Sequence, residues 1–116
     1  MTMGASDGDA AGPAGEVAVI FVSRRTGDDA AGYHAAAAAM ERLATTQPGY
    51  RGIRAARGGD GVGITVSWWA HEAAAIAWRD QPDHVRIREA GRTRWYAWYE
   101  VTVARVLRRY AGGDGR

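Results

Sequence analysis

Residues 95–106 read WYAWYEVTVARV, a run that is apolar on both sides once laid out as a strand. Successive side chains of a strand point to opposite faces. Trp95, Ala97, Tyr99, Val101 and Val103 fall on one face. Tyr96, Trp98, Thr102, Ala104 and Val106 fall on the other, with Glu100 among them. A chain of 116 residues has too few helices to cover both faces of a sheet. The second face needs another cover, and a second copy of the chain is the expected one.

The rest of the chain fits a sheet of this kind. EVAVIFVS at 16–23 is a strand with Val17, Val19 and Phe21 on one side and Ala18, Ile20 and Val22 on the other. Thr26 and Asp28 are N-cap candidates for a helix over 29–46, whose apolar stripe is Tyr33, Ala36, Ala37, Met40, Leu43 and Ala44. A second strand spans 50–57; its arginines at 51, 54 and 57 suit a sheet edge. The GGDG turn at 58–61 leads into a third strand over 62–69. A helix over 71–79, with Ala73, Ile76 and Ala77 inward, is interrupted at Pro82. It restarts with Gln81 as N-cap and runs to about Ala90, with Gly91 as a C-cap candidate.

The order is β-α-β-β-α-β, the ferredoxin-like pattern: α+β, with an antiparallel sheet and both helices on one face. The other face would be wet, at a cost of about 1.5–3 kcal/mol for each large apolar side chain. Two sheets packed face to face into a dimeric α+β barrel remove that cost, and such an interface is isologous. The ordered domain is expected over residues 16–110, flanked by disordered tails at 1–15 and 111–116. A core this small gains from oligomerisation.

Composition narrows the functional classes. There is no cysteine, so disulfides, thiolate chemistry and Cys-ligated metals are excluded. All fifteen basic residues are arginine, and there is neither lysine nor asparagine. With the abundance of Ala and Gly, this reads as GC-rich codon bias. The net charge is only +2 and the acids are interspersed, so no nucleic-acid partner is expected. Neither a signal peptide nor a run of about 20 apolar residues is present, so no membrane partner is expected and a cytoplasmic location is. His34, His71 and His84 lack metal-ligand spacing, Ser23 and Ser67 have no nucleophile-elbow context, and 58–63 is not a phosphate loop.

The element order, the strand end Ser67-Trp68-Trp69, the phrase EAAAIAW at 72–78, His84 and the closing Arg94-Trp95-Tyr96 together resemble the antibiotic biosynthesis monooxygenase family of the dimeric α+β barrel superfamily. The resemblance covers about residues 16–108. It implies a homodimer with a pocket in each subunit between sheet and helices. Some members oxygenate aromatic polyketides to quinones with O₂ and neither metal nor flavin; others bind and degrade haem. The haem branch uses an Asn, a strand-end Trp and a late helical His. This chain matches only the Trp: it has no Asn, and the His position falls near Arg88, with His84 a turn earlier.

The leading expectation is therefore a cofactor-independent monooxygenase acting on a small aromatic or polyketide-like molecule. A phenolate can give an electron to O₂ itself, so the protein need only position, ionise and shield it. The expected roles are His84, a near-neutral base after Pro82-Asp83, as proton acceptor, Tyr33 and Arg88 as orienting groups, and Trp69, Trp98 and Tyr96 as substrate-binding walls. Each has a structural alternative: Trp69 as interface packing, Tyr33 as core, His84 as a first-turn surface residue, Arg88 as a solvated cation. Trp68 and Trp78 are expected in the core, and Glu100 in an ion pair across the dimer. The other functional readings are a non-catalytic dimeric binder of a hydrophobic small molecule and a haem protein.

Overall fold

The computed structural model describes residues 15–113. The expected tails lie outside it, apart from Gly15 and residues 111–113. The elements are β1 (Val17–Arg25), α1 (Ala30–Thr45), β2 (Tyr50–Arg57), β3 (Val62–Trp69), α2 (Glu72–Asp80), α3 (Pro82–Arg94) and β4 (Tyr96–Arg105). The ferredoxin-like order holds, with its second helix in two pieces. Gln81 is extended at the break, and its side chain accepts from the His84 N–H at 2.8 Å. Pro82 then opens α3, where its missing N–H costs nothing.

The four strands are ordered β2-β3-β1-β4, and every neighbouring pair is antiparallel. Cross-strand partners share a face. Val17, Val19, Phe21 and Ser23 lie opposite Trp69, Ser67, Thr65 and Gly63 on one side, and opposite Arg105, Val103, Val101 and Tyr99 on the other. This is the helix side. Its core gathers at the Trp69 end: Val17, Ala44, Trp69, Ala74, Ala75 and Trp78, with Met40, Leu43 and Tyr50 against them. The opposite, open face carries Ala18, Ile20 and Val22 beside Trp68, Val66 and Ile64. Trp68 is therefore half-buried on the open face, not in the core.

Other expectations are corrected by the structure. The last strand begins one residue late, because Trp95 is helical and caps α3. Strict alternation then fails near its start. Arg24 pairs with Trp98, but Arg25 pairs with Tyr96, leaving Ala97 as the extra residue of a bulge. A bulge re-aims side chains. Here it brings Tyr96 and Tyr99 to one face, both against Phe21, at centroid distances of 5.3 and 5.9 Å. On α2 the inward residues are Ala74, Ala75 and Trp78. Stacking of Trp78 on Trp69 at 5.5 Å sets that face, and Ile76 is left 41% exposed. Gly91 lies inside α3 instead of capping it. A Cβ there would come within 3.0 Å of the Tyr96 ring and 3.2 Å of the Trp95 ring.

Candidate functional site

The helix side of the sheet has two unlike ends. The first is an aromatic ladder. Tyr50 meets Trp69 edge-on at 5.9 Å, Trp69 stacks on Trp78, and Trp78 stacks on His84 at 4.0 Å. Trp69 is fully buried, and its indole N–H donates to Ser67 Oγ at 2.9 Å. His84 Nδ1 meets the Trp78 carbonyl oxygen. Burial holds the His84 imidazole below its ordinary range, the Arg88 charge pushes the same way, and the carbonyl contact opposes both. A neutral ring that donates from Nδ1 leaves Nε2 as an acceptor.

The second end is built from Arg57, the last residue of β2. Arg57 lies opposite Gly63, where a Cβ would sit 2.6 Å from its Cζ. Glycine there lets the long side chain cross β3 and reach β1 and α1. Its Nη1 donates to the Ser23 carbonyl at 3.1 Å and to the Gly61 carbonyl. Its Nη2 donates to Ser23 Oγ at 3.1 Å and to the Tyr33 hydroxyl at 3.2 Å. From the other side, the Arg25 guanidinium lies 3.8 Å from the Tyr33 ring centroid, within the range of a cation–π contact. It donates to the Trp95 and Asp28 carbonyls at 3.3 and 3.1 Å. Tyr96 meets Tyr33 edge-on at 6.1 Å. Burial pushes the Tyr96 phenol up to about 12, Tyr33 adds to the shift, and the charges of Arg57 and Arg25 oppose it.

Asp29 locks this end shut against α3. It caps α1 from a left-handed conformation, φ 50°, and accepts from the Gly32 N–H at 3.1 Å. Its other oxygen accepts from the Trp95 indole at 3.3 Å and from Arg94 at 3.4 Å. The Trp95 N–H, then the Gly32 N–H and Arg94, hold its carboxyl below the usual range. Thr26 and Asp28, the expected caps, instead shape the preceding turn, with Thr26 Oγ accepting from the Asp28 N–H at 3.0 Å.

Beside this polar cluster the helices leave β4 bare. Tyr99, Val101 and Val103 face the helix side yet are exposed, Val103 by 56%. With Phe21 they form an apolar floor that ends at Tyr33, Tyr96 and the two arginines. Flat aromatic ligands fit such a floor by stacking.

The six residues expected from sequence fall in separate places. Tyr33 and Tyr96 meet in the second cluster. Trp69 and His84 lie in the ladder, and the part of α3 from His84 to Arg94, about 15 Å of helix, separates His84 from Tyr96. Arg88 donates to the Arg79 carbonyl at 3.0 Å. Trp98 lies on the open face, 42% exposed. Sequence reasoning missed Arg25, Arg57, Ser23 and Phe21. A signal for Arg57 was present: a hairpin that sets a bulky cation opposite a glycine leaves that cation room to lie across the neighbouring strand.

Arg88, near the position where the resemblance places a haem-ligating His, cannot bind iron, and its guanidinium donates to the Arg79 carbonyl. His84 is stacked on Trp78 with Nδ1 engaged, so only its Nε2 could serve as a ligand. Among the described residues no three His, Asp or Glu side chains cluster as a metal site, and no helix is long and apolar enough to cross a membrane. A cavity of about 410 Å³ opens beside the edge strand, away from the arginine–tyrosine cluster, among Arg51, Arg54, Trp68, Arg109 and Glu16. Glu16 is buried there, with Arg109 Nη2 at 3.0 Å from an Oε1 that lacks an aligned donor. The contact is thus Coulombic more than a hydrogen bond.

Comparison with known proteins agrees with this architecture. The sequence profile of the family described as antibiotic biosynthesis monooxygenase matches residues 17–90. The uncharacterised protein YqjZ of Bacillus subtilis (strain 168) is 44% identical over 91 residues, 78% of this chain and 79% of YqjZ. SnoaB, a cofactor-independent oxygenase from Streptomyces nogalater, superposes with a TM-score of 0.71 at 18% identity, over 87% of this chain and all of SnoaB. Rv0793 from Mycobacterium tuberculosis superposes with a TM-score of 0.73 at 20% identity, over 83% of this chain and 99% of Rv0793. The two structures share the fold with this chain, and the profile and the relative establish its family: the chain belongs to the antibiotic biosynthesis monooxygenase family.

Proposed function

We propose that this family member is a cofactor-independent oxygenase of aromatic, polyketide-like phenols, working as a homodimer. The observation that supports it is the uncovered surface beside β4, an apolar aromatic floor bounded at one end by two phenols and two guanidinium groups, which we read as one wall of a substrate chamber. The substrate stacks on Phe21 and Tyr99. Its phenolic oxygen points to Tyr33 and Tyr96, where the positive charge of Arg57 and Arg25 favours the phenolate. Tyr96 keeps its proton across the working pH range and donates a hydrogen bond to that oxygen. The substrate's proton leaves to solvent along the uncovered edge of β4. The electron-rich ring reduces O₂ directly to a peroxide on a ring carbon, which takes a proton back from solvent. The O–O bond then breaks, the outer oxygen leaves as water with that proton and the carbon's own hydrogen, and the inner oxygen stays as the new quinone carbonyl. This reading gives proton handling to the tyrosine end and leaves His84 as a packed residue beside Trp78. Arg88 is a helix-surface tie in the same reading.

The open face supplies the dimer. Ala18, Ile20, Val22, Val66, Ile64 and Trp68 form an apolar sheet surface without helices, Ile64 being 49% exposed. Trp69 serves the core of each subunit and Trp98 the interface between them. Sedimentation of Ile20→Glu should show a monomer where the parent chain sediments as a dimer; a monomeric parent would remove the dimer. The activity is tested by oxygen uptake with a panel of anthrones and naphthols. One O₂ consumed per anthraquinone formed, without added metal or flavin, is the expected result. No uptake above the uncatalysed rate across the panel would refute the oxygenase.

A further inference from the structure

We infer that the chamber's substrates carry a carboxylate, held by the Arg25 guanidinium with the charge of Arg57 behind it. The inference rests on the chamber reading above and goes further by naming the charged group on the aromatic ligand.

Half-buried cations in folded proteins are normally paired. Arg25 and Arg57 converge on one ring, Tyr33, at 3.8 and 5.6 Å from its centroid. Neither takes part in an ion pair among the described residues. The nearby acids do not neutralise them. Asp29 is engaged by Gly32, Trp95 and Arg94. Asp28 offers Arg25 its backbone carbonyl. Two positive charges therefore lie at the end of the exposed aromatic surface of β4 with only neutral acceptors bound to them.

The two arginines differ in what they have left to give. A guanidinium has five N–H donors. Four of those on Arg57 are used, on Ser23, Gly61 and Tyr33. Arg57 is a rivet that contributes charge. Arg25 uses two, on Trp95 and Asp28, so most of its fork is unused. One free planar fork suits one planar carboxylate, bound through two parallel hydrogen bonds. A phenol that ionises only during reaction would leave both charges uncompensated in the resting complex. A carboxylate is ionised throughout the neutral range.

The test is fluorescence titration of the full chain with 1-hydroxy-2-naphthoate and with its methyl ester, two probes that differ chiefly in charge. The acid should bind at least about tenfold more tightly than the ester at low salt. That preference should shrink in 0.5 M salt and vanish in Arg25→Gln. Arg42→Gln, which removes the same charge from the exposed last turn of α1, should keep it. If Arg25→Gln does not fold, Arg25→Lys, which keeps the charge without the fork, should lose most of the preference. Equal binding of acid and ester, or a preference that survives in Arg25→Gln or stays whole in Arg25→Lys, overturns the carboxylate site and leaves the chamber standing. Failure of both probes to bind overturns the chamber reading and this inference together.

Discussion

The two ends of the helix-facing surface are made from similar aromatic side chains and yet behave as opposites. At the ladder end, Tyr50, Trp69, Trp78 and His84 stack on one another, and the polar atom of Trp69 is satisfied within its own strand. The contacts of His84 leave its Nε2 open. At the other end, Phe21, Tyr33, Tyr96 and Tyr99 meet two arginines, and the neighbouring valines of β4 stay bare. Aromatic content alone therefore does not mark a pocket. What separates the ends is unspent capacity: exposed apolar area, unmatched charge and free donors occur together only at the second.

The sharpest way to break the contrast is to hollow out the ladder. Trp69→Ala should cost about 3–5 kcal/mol of stability, because a buried ring is lost and its cavity only partly collapses. Denaturant unfolding checks it, and a loss below about 1 kcal/mol would show that the ladder is not the core. Arg57→Gln should cost less, about 1–3 kcal/mol, through the buried Ser23 acceptors it leaves unmatched. It should also abolish oxygen uptake in protein that remains folded, which the ladder mutation should do only by unfolding.

A smaller effect comes from pH. The folded-state pKa of His84 is depressed, so the unfolded chain binds the proton more readily. Stability should be whole above the ordinary value of 6.5 and fall as pH drops below it, until the folded imidazole also protonates. Thermal melts from pH 7.5 to 5 should show the decline, and His84→Gln should flatten it. A parent curve already flat over that range would mean that His84 is not shielded. The smallest effect is expected from Asp29→Ala, which removes an exposed cap together with its tie to Trp95. Its melting point should fall slightly, and its acid-side loss should be milder than the parent's, since a depressed carboxyl stabilises above its unfolded pKa and ceases to on protonation.

Much of the fold was legible in the chain. The strands over 50–57 and 62–69 and the restart at Pro82 follow from period-two runs, a GGDG turn and one proline. The errors had local causes. Alternation could not foresee the bulge at Ala97, so Tyr96 was assigned to the face away from Tyr99. Small residues gave α2 no clear stripe, and a single ring, Trp78, decided its orientation. The site was less legible. Arg57 reads as an edge charge until its partner across the hairpin is seen to be a glycine, and Arg25 reads as part of a polar connection until Tyr33 lies beneath it. His84 drew attention by its residue type, but packing on Trp78 is a tertiary fact that no local pattern carries.

The decisive measurement is oxygen uptake on one reactive anthrone by two folded variants, Tyr96→Phe and His84→Gln, side by side with the parent chain. With chemistry at the arginine–tyrosine end, kcat should fall about a hundredfold in Tyr96→Phe, the scale of a lost hydrogen-bond donor to an oxyanion, and stay near the parent value in His84→Gln. The reverse pattern, activity kept without the Tyr96 hydroxyl and lost without the imidazole, would move the reaction to the ladder end and contradict the division of this surface into a packed half and a working half.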